Sequence, residues 1–385
     1  MTSAQTAWTD VKTVELTGLR VALSQPVLVA RSKGHLWFPT LVPVGGNELL
    51  GILSDMPDVH TDRPTGLITW SRDGGLTWSE PRRGPYADCA PLRLPNGDLL
   101  LLSNYLYSRA DGDYIGCDRI TRGARSAEAL ADGVAITNWP RPLRGGPHGL
   151  AGFGFTGQTV ALSDGGCLAT LYGHFEGAQR YSLVAAQSAD GRHWSIRSVI
   201  ADDKCALEGS EGPCEAALCR LEDGRLMCVF RNSSNVFYGQ CWSEDEGGTW
   251  TTPVASAEAH SVQPSLAVMD DGIVAMSGGR PGIFLWFSAD GTGKDWQAID
   301  VRAHHNECCP GEPIGSGDPI SGAPMTTSYT EIIRLDDEHL LLIYDRVPHG
   351  WSAIPQGSPE TNSVWVVRVG VRREGDGESR SRPGR

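Results

Sequence analysis

Six times along the chain an apolar run, a short polar turn containing Asp or Gly, and a second apolar run follow one another: TLVPVGGNELLGIL, PLRLPNGDLLLLS, TVALSDGGCLATLY, ALCRLEDGRLMCVF, SLAVMDDGIVAMS and EIIRLDDEHLLLIY. A second motif keeps step with the first. It reads SRDGGLTW at Ser71, SADGRHW at Ser188, SEDEGGTW at Ser243 and, degraded, SADGTGKDW at Ser288, each time just after a strand-like run such as LITW or VFYGQCW. In each copy Asp and Gly supply turn geometry and side-chain-to-backbone hydrogen bonds, and Trp covers the end of a local core. The spacings between these serines are 117, 55 and 45 residues, so the first interval holds two units and one unit lacks the turn. Short strands at this period, with almost no helical periodicity, predict an all-β fold: a six-bladed propeller of four-stranded antiparallel blades.

The 385 residues would otherwise suggest two or three domains, because single cores rarely grow that large. Repetition overrides that expectation and predicts one propeller over residues 1–372. The segment VELTGLRVAL is expected to close the ring against a last blade ending near TNSVWVVRV, and residues 373–385, polar and rich in Gly and Arg, are expected to be a disordered tail.

A formal net charge of −13 opposes binding to phosphate backbones or anionic membranes, so nucleic acid and membrane surfaces are not expected partners. Converging arginines can still hold a small anion. No apolar stretch is long enough to span a bilayer, and the start MTSAQTAWTDVKTVEL lacks a basic-then-apolar leader pattern. A cytoplasmic location is the expectation for the sequence as it stands, and secretion if a leader was removed. The ten cysteines show no disulfide framework and no CxxC pair, and Cys219, Cys228 and Cys241 read as apolar strand fillers.

SxDxGxTW is the Asp-box, and a six-unit chain carrying it resembles the sialidase superfamily of BNR-repeat propellers. Two copies, at Ser71 and Ser243, match fully. The resemblance implies three arginines that clamp a substrate carboxylate, a tyrosine nucleophile assisted by a glutamate, and an aspartate acid/base. A hydroxyl nucleophile suits an anionic sugar, which would repel a carboxylate.

The resemblance places these parts residue by residue. Tyr329, in TTSYTEIIRL, stands at the start of the last inner strand, where the family's nucleophile lies. Glu215 begins the inner strand of the fourth blade and Arg231 follows 16 residues later, matching the family's base and second arginine. Arg280, eight residues before Ser288, matches the third arginine, and Asp62, ahead of LITW, matches the acid/base. The departure is at the first inner strand, where the family's YRIPAL is LWFPTL and Trp37 replaces the first arginine. That change removes a bidentate donor and offers a stacking face. Arg31, Arg63 and Arg346 are loop candidates to compensate, and His60 and Gln263 complete the substrate-facing set.

His60, His148, His174, His304 and His305 all read as loop residues. Several converging on one mouth would suit abstraction of a proton alpha to a uronate carboxyl. The run HHNECC lacks the x2 to x4 spacing of zinc ligands, so no metal is expected, and no Walker or Rossmann glycine pattern implies a cofactor. The leading functional reading is a retaining, exo-acting glycosidase for an anionic or modified terminal sugar, with Tyr329, Glu215 and Asp62 catalytic. A uronate lyase and a non-catalytic glycan- or metabolite-binding propeller are the alternatives, and oligomeric state is left open.

Overall fold

A computed structural model describes residues 7–317 and 326–374 of the chain. Six antiparallel sheets form a six-bladed propeller. Their innermost strands are Trp37–Gly45, Cys89–Arg93, Phe153–Ala161, Cys214–Arg220, Ser265–Val268 and Thr330–Arg334, in blades 1 to 6. Blade 3 gains a fifth strand, Ala135–Thr137, which pairs in parallel with His193–Ala201.

The blades stack because their strands are apolar on both faces. In blade 4, Ala216 and Leu218 pack on Leu168 and Leu183 of blade 3, while Ala217 and Cys219 turn the other way, onto Leu266 and Met276 of blade 5. Similar clusters fill the other four blade junctions. This explains near-continuous apolar runs such as LMCVF: a middle strand has no solvent side, so the usual polar alternation disappears. Cys219, Cys228 and Cys241 are buried in these junctions, and all ten cysteines are free.

The ring closes in blade 6. Its long strand Asn362–Arg373 pairs first with Val27–Ser32 and then with Leu19–Ser24, to which Asp10–Leu16 adds a further strand. Arg373, assigned to the tail from sequence, is the last residue of that strand, and the expected tail from residue 375 onward lies outside the described residues. The chain also holds one element that the strand periodicity did not announce, a helix at Val301–Cys308 capped by Asp300. His304 and His305 lie in it, not in a loop. His304 Nε2 is 2.8 Å from the Ser24 carbonyl, and His305 contacts the Tyr344 hydroxyl at 2.9 Å and the Glu312 carbonyl at 3.0 Å. Among the described residues no cluster of His, Cys, Asp or Glu is arranged to hold a metal ion, and no helix is long and apolar enough to cross a membrane.

The repeated turn closes the third strand of blades 1, 3, 4 and 5. In blade 1 the Ser71 hydroxyl donates to Asp73 at 2.9 Å and accepts from the Gly75 N–H at 2.8 Å, while Asp73 accepts the Thr77 N–H at 2.9 Å and its hydroxyl at 2.6 Å. The Trp78 indole N–H reaches the Gly75 carbonyl. Blade 4 repeats the Ser and Thr bonds through Ser243, Asp245, Gly247 and Thr249. Asp73→Ala removes three of the blade 1 bonds at once, one of them to a backbone N–H, and is expected to cost about 1–2 kcal/mol. The check is thermal unfolding, read as a lowered Tm.

Candidate active site

Blade 1 shows how the two ends of a blade differ. Trp37, Ser54, Gly66 and Gly84 align at one end, while Leu49 and Ser71 align at the other, beside the turn. The first residues of the inner strands therefore gather at the end opposite the turns. A cavity of about 600 Å³ opens there on the propeller axis, lined from every blade.

Three of its lining residues share an unusual backbone. Phe38, Asp88 and Glu215, at or just before the start of the inner strands of blades 1, 2 and 4, have φ of 48°, 57° and 40°. Non-glycine residues seldom adopt this left-handed region, and its cost is of order 1 kcal/mol or more each. At Phe38 and Glu215 the pairing register shifts between Trp37 and Thr40 and between Cys214 and Ala216. These bulges break the alternation and aim one side chain per strand into the cavity.

Glu215 and Tyr329 meet across the axis. The Tyr329 hydroxyl donates to Glu215 Oε1 at 2.5 Å, and the Arg231 guanidinium reaches the same oxygen at 2.6 Å. Glu215 Oε2 accepts the backbone N–H of Gln263 at 3.0 Å. Arg231 also bonds Glu211 at 2.8 Å and Ser234 at 3.2 Å. The Arg280 guanidinium lies 5.4 Å from the Tyr329 ring and 5.1 Å from that of Trp351, within cation–π range of both. Phe38 also packs on Tyr329, with ring centroids 4.6 Å apart.

Thus Tyr329, Glu215, Arg231, Arg280 and His60, named from the sequence, line one cavity. Others do not. Trp37 is 1% exposed; the bulge turns its indole into the blade, where its N–H donates to the Met56 carbonyl at 3.0 Å, and Phe38 takes the cavity wall. Asp62 and Arg63 are exposed on a loop whose cavity-facing residues are Asp58, Val59 and His60. Tyr105 and Tyr107 hold that loop, donating to the carbonyls of Val59 at 3.1 Å and Thr61 at 2.8 Å. Arg346 is fully buried and bonds Pro313 and Glu360, away from the cavity. Arg31 pairs with Glu312, and Gln263 contributes its backbone instead of its side chain to the cluster. Of the other histidines, His174 lines the cavity beside Tyr181, while His148 stays exposed outside it.

Sequence reading missed Asp58, Asp88, Glu211, Phe38 and Trp351. Asp58 was the most accessible of these, standing four residues before Asp62 on the same loop. The strained starts of the inner strands leave no sequence signature.

A family model described as a BNR repeat-like domain matches residues 138–337, more than half of the chain. The chain belongs to this family. No curated protein matches it. Among solved structures, a Dyadobacter fermentans protein of unknown function is similar at 18% identity and a TM-score of 0.70, over 93% of this chain and 100% of that one. The NanB sialidase of Streptococcus pneumoniae is similar at 14% identity and TM-score 0.57, over 91% and 71% of the two chains. A Penicillium chrysogenum alpha-L-arabinanase, solved with arabinobiose, is similar at 15% identity and TM-score 0.56, over 89% and 98%. The BNR repeat-like chain thus shares its fold with glycoside hydrolases.

The cavity of this BNR repeat-like propeller sorts its carboxyl groups by charge. Burial alone would raise the pKa of Glu215, but the charges of Arg231 and Arg280 and the hydrogen bonds from Tyr329 and Arg231 outweigh it, and the net shift is downward. Burial and the neighbouring Glu215 push the Tyr329 phenol well up, past the opposing arginines. Asp58 opens onto the cavity, yet the surrounding protein desolvates it and raises its pKa. Asp88 is pushed by burial, then by Glu215 and Asp58, to about 8. A carboxyl whose folded pKa is raised stabilises the fold fully below its ordinary 3.8, and that contribution is lost as pH climbs to about 8. Asp88→Asn is therefore expected to flatten the decline of Tm between about pH 5 and about pH 8, compared with the unaltered protein. Parallel Tm curves for the two proteins would contradict the assignment.

Proposed function

We propose that the chain is a retaining, exo-acting glycoside hydrolase for an anionic or modified terminal sugar, with Tyr329 as nucleophile and Glu215 as its base. The observation that carries this reading is the 2.5 Å contact from the Tyr329 hydroxyl to an oxygen of Glu215. A neutral phenol beside a carboxylate held ionised by two arginines is a nucleophile with its proton acceptor already in place. The fold shared with a sialidase and an arabinanase supports the broad class.

In the first step the Tyr329 oxygen attacks the anomeric carbon as its proton passes to Glu215, and the glycosidic C–O bond breaks. Asp58 protonates the departing oxygen. It replaces Asp62 in this role because it lies at the cavity, where desolvation shifts its pKa upward, toward that of a general acid. In the second step Asp58, now ionised, takes a proton from water, which attacks the anomeric carbon and displaces the tyrosine oxygen as Glu215 returns the proton to it. Two displacements at one carbon return the original anomeric configuration. Arg231 and Arg280 offer cationic groups beside the nucleophile to an acidic substituent, and Phe38 and Trp351 supply apolar faces where the sialidase pattern has a further arginine.

Tyr329→Phe is expected to lower kcat by about a thousandfold or more while substrate binding persists. Asp58→Ala is expected to cost about 10²–10⁴ on a natural glycoside and far less on a 4-nitrophenyl glycoside, whose leaving group needs no proton. The pH profile should rise with ionisation of Glu215, displaced downward by the arginines, and fall with deprotonation of Asp58, displaced upward by desolvation. Product NMR showing inversion, or full activity of Tyr329→Phe, would overturn the mechanism. An ultraviolet-absorbing unsaturated product would assign elimination instead, for which His60 and His174 line the same cavity.

A further inference from the structure

The far end of blade 1 carries a second concavity, of about 380 Å³, between the repeated turn and blade 2. Its walls include the two tryptophans Trp70 and Trp78 and the three arginines Arg72, Arg82 and Arg125. Trp70 is only 8% exposed, and its indole N–H is buried with no partner among the described residues. A buried donor without an acceptor is a polar group whose hydrogen bond is still unmade. The Arg125 guanidinium lies 5.0 Å over the Trp70 ring. Arg125 and Arg72 share one carboxylate, Glu48, at 2.9 and 3.8 Å, and Arg82 is exposed and forms no ion pair among the described residues. Glu80 is the sole acidic residue among those lining the pocket.

From this arrangement we propose that the pocket is a binding site for an acidic saccharide, separate from the axial cavity. Guanidinium groups pair with planar or tetrahedral oxyanions through parallel N–H donors, and tryptophan faces accept the apolar side of a sugar ring. Cationic groups concentrate here in a chain whose formal net charge is −13, so the local field opposes the global one. That global field disfavours a long polyphosphate. The ligand is therefore a sugar carrying carboxylate or sulfate. The inference is independent of the reaction at Tyr329, because Trp37–Gly45 and Gly66–Ser71 place the two concavities at opposite ends of the blade.

The test is titration of the full chain, followed by tryptophan fluorescence and calorimetry, with three hexasaccharides: neutral maltohexaose, sulfated maltohexaose and hexagalacturonate. The expected result is binding of one or both anionic hexamers, weakened by added salt, with none of maltohexaose. Arg82→Glu is expected to weaken that binding by about tenfold or more with an unchanged Tm, and Arg125→Ala to weaken it as well. Tyr329→Phe is expected to leave it unaltered. Failure of both anionic hexamers to bind, equal binding of maltohexaose, or affinity indifferent to Arg82→Glu would overturn the proposal. The separate sulfate and carboxylate arms identify which oxyanion the arginines take.

Discussion

One carboxylate holds the reactive end of the ring together. Asp345, fully buried on the second strand of blade 6, accepts the backbone N–H groups of Ser328 at 2.5 Å, Phe38 at 3.0 Å and Tyr329 at 3.4 Å, and the Thr327 hydroxyl at 3.0 Å. Burial pushes its pKa up to about 6 against the pull of those four donors, each of which has the carboxyl as its acceptor. Phe38 begins the first blade and Tyr329 the last. The junction at which the propeller closes is thus also the place where the candidate nucleophile is set, and closure and chemistry share an anchor. The mutual placement of Phe38, Tyr329 and Arg280 follows from it, since the Arg280 N–H in turn bonds the Ser328 carbonyl.

The architecture was legible in the sequence because blade-on-blade packing leaves a strong trace. A strand buried on both faces must be apolar throughout, and the turn that ends it must be polar, so ALCRLEDGRLMCVF reads as a hairpin without any alignment. The helix at Val301–Cys308 was not legible. It spans eight residues, and its buried members are Val301, His304 and His305, so polar side chains face the core through hydrogen bonds where an apolar stripe would have announced a helix.

The site was legible to the precision of a strand, not of a residue. Glu215, Arg231, Arg280 and Tyr329 stand at, or within two residues of, the ends of core strands, and those positions survive a small error in register. Trp37 and Asp62 did not survive it. A bulge of one residue exchanges Trp37 for Phe38, and a loop tied down by Tyr105 and Tyr107 presents Asp58 in place of Asp62. Neither the bulge nor the anchoring hydroxyls can be inferred from local composition, because each depends on contacts between different blades. Arg346 illustrates the converse: an arginine that follows Asp345 in the chain lies away from the cavity, bonded to carbonyls and Glu360 as part of the scaffold.

The pairing of Asn362–Arg373 with Val27–Ser32 and Leu19–Ser24 has a temporal consequence. During synthesis the first strands of blade 6 leave the ribosome more than three hundred residues before their partner does. Until then the strands Val27–Ser32 and Leu19–Ser24 stay unpaired on that side, although Asp345, the acceptor shared by Phe38 and Tyr329, is made earlier. A nascent chain can stack blades in order as they emerge, but it closes the ring only after its last strand has been made.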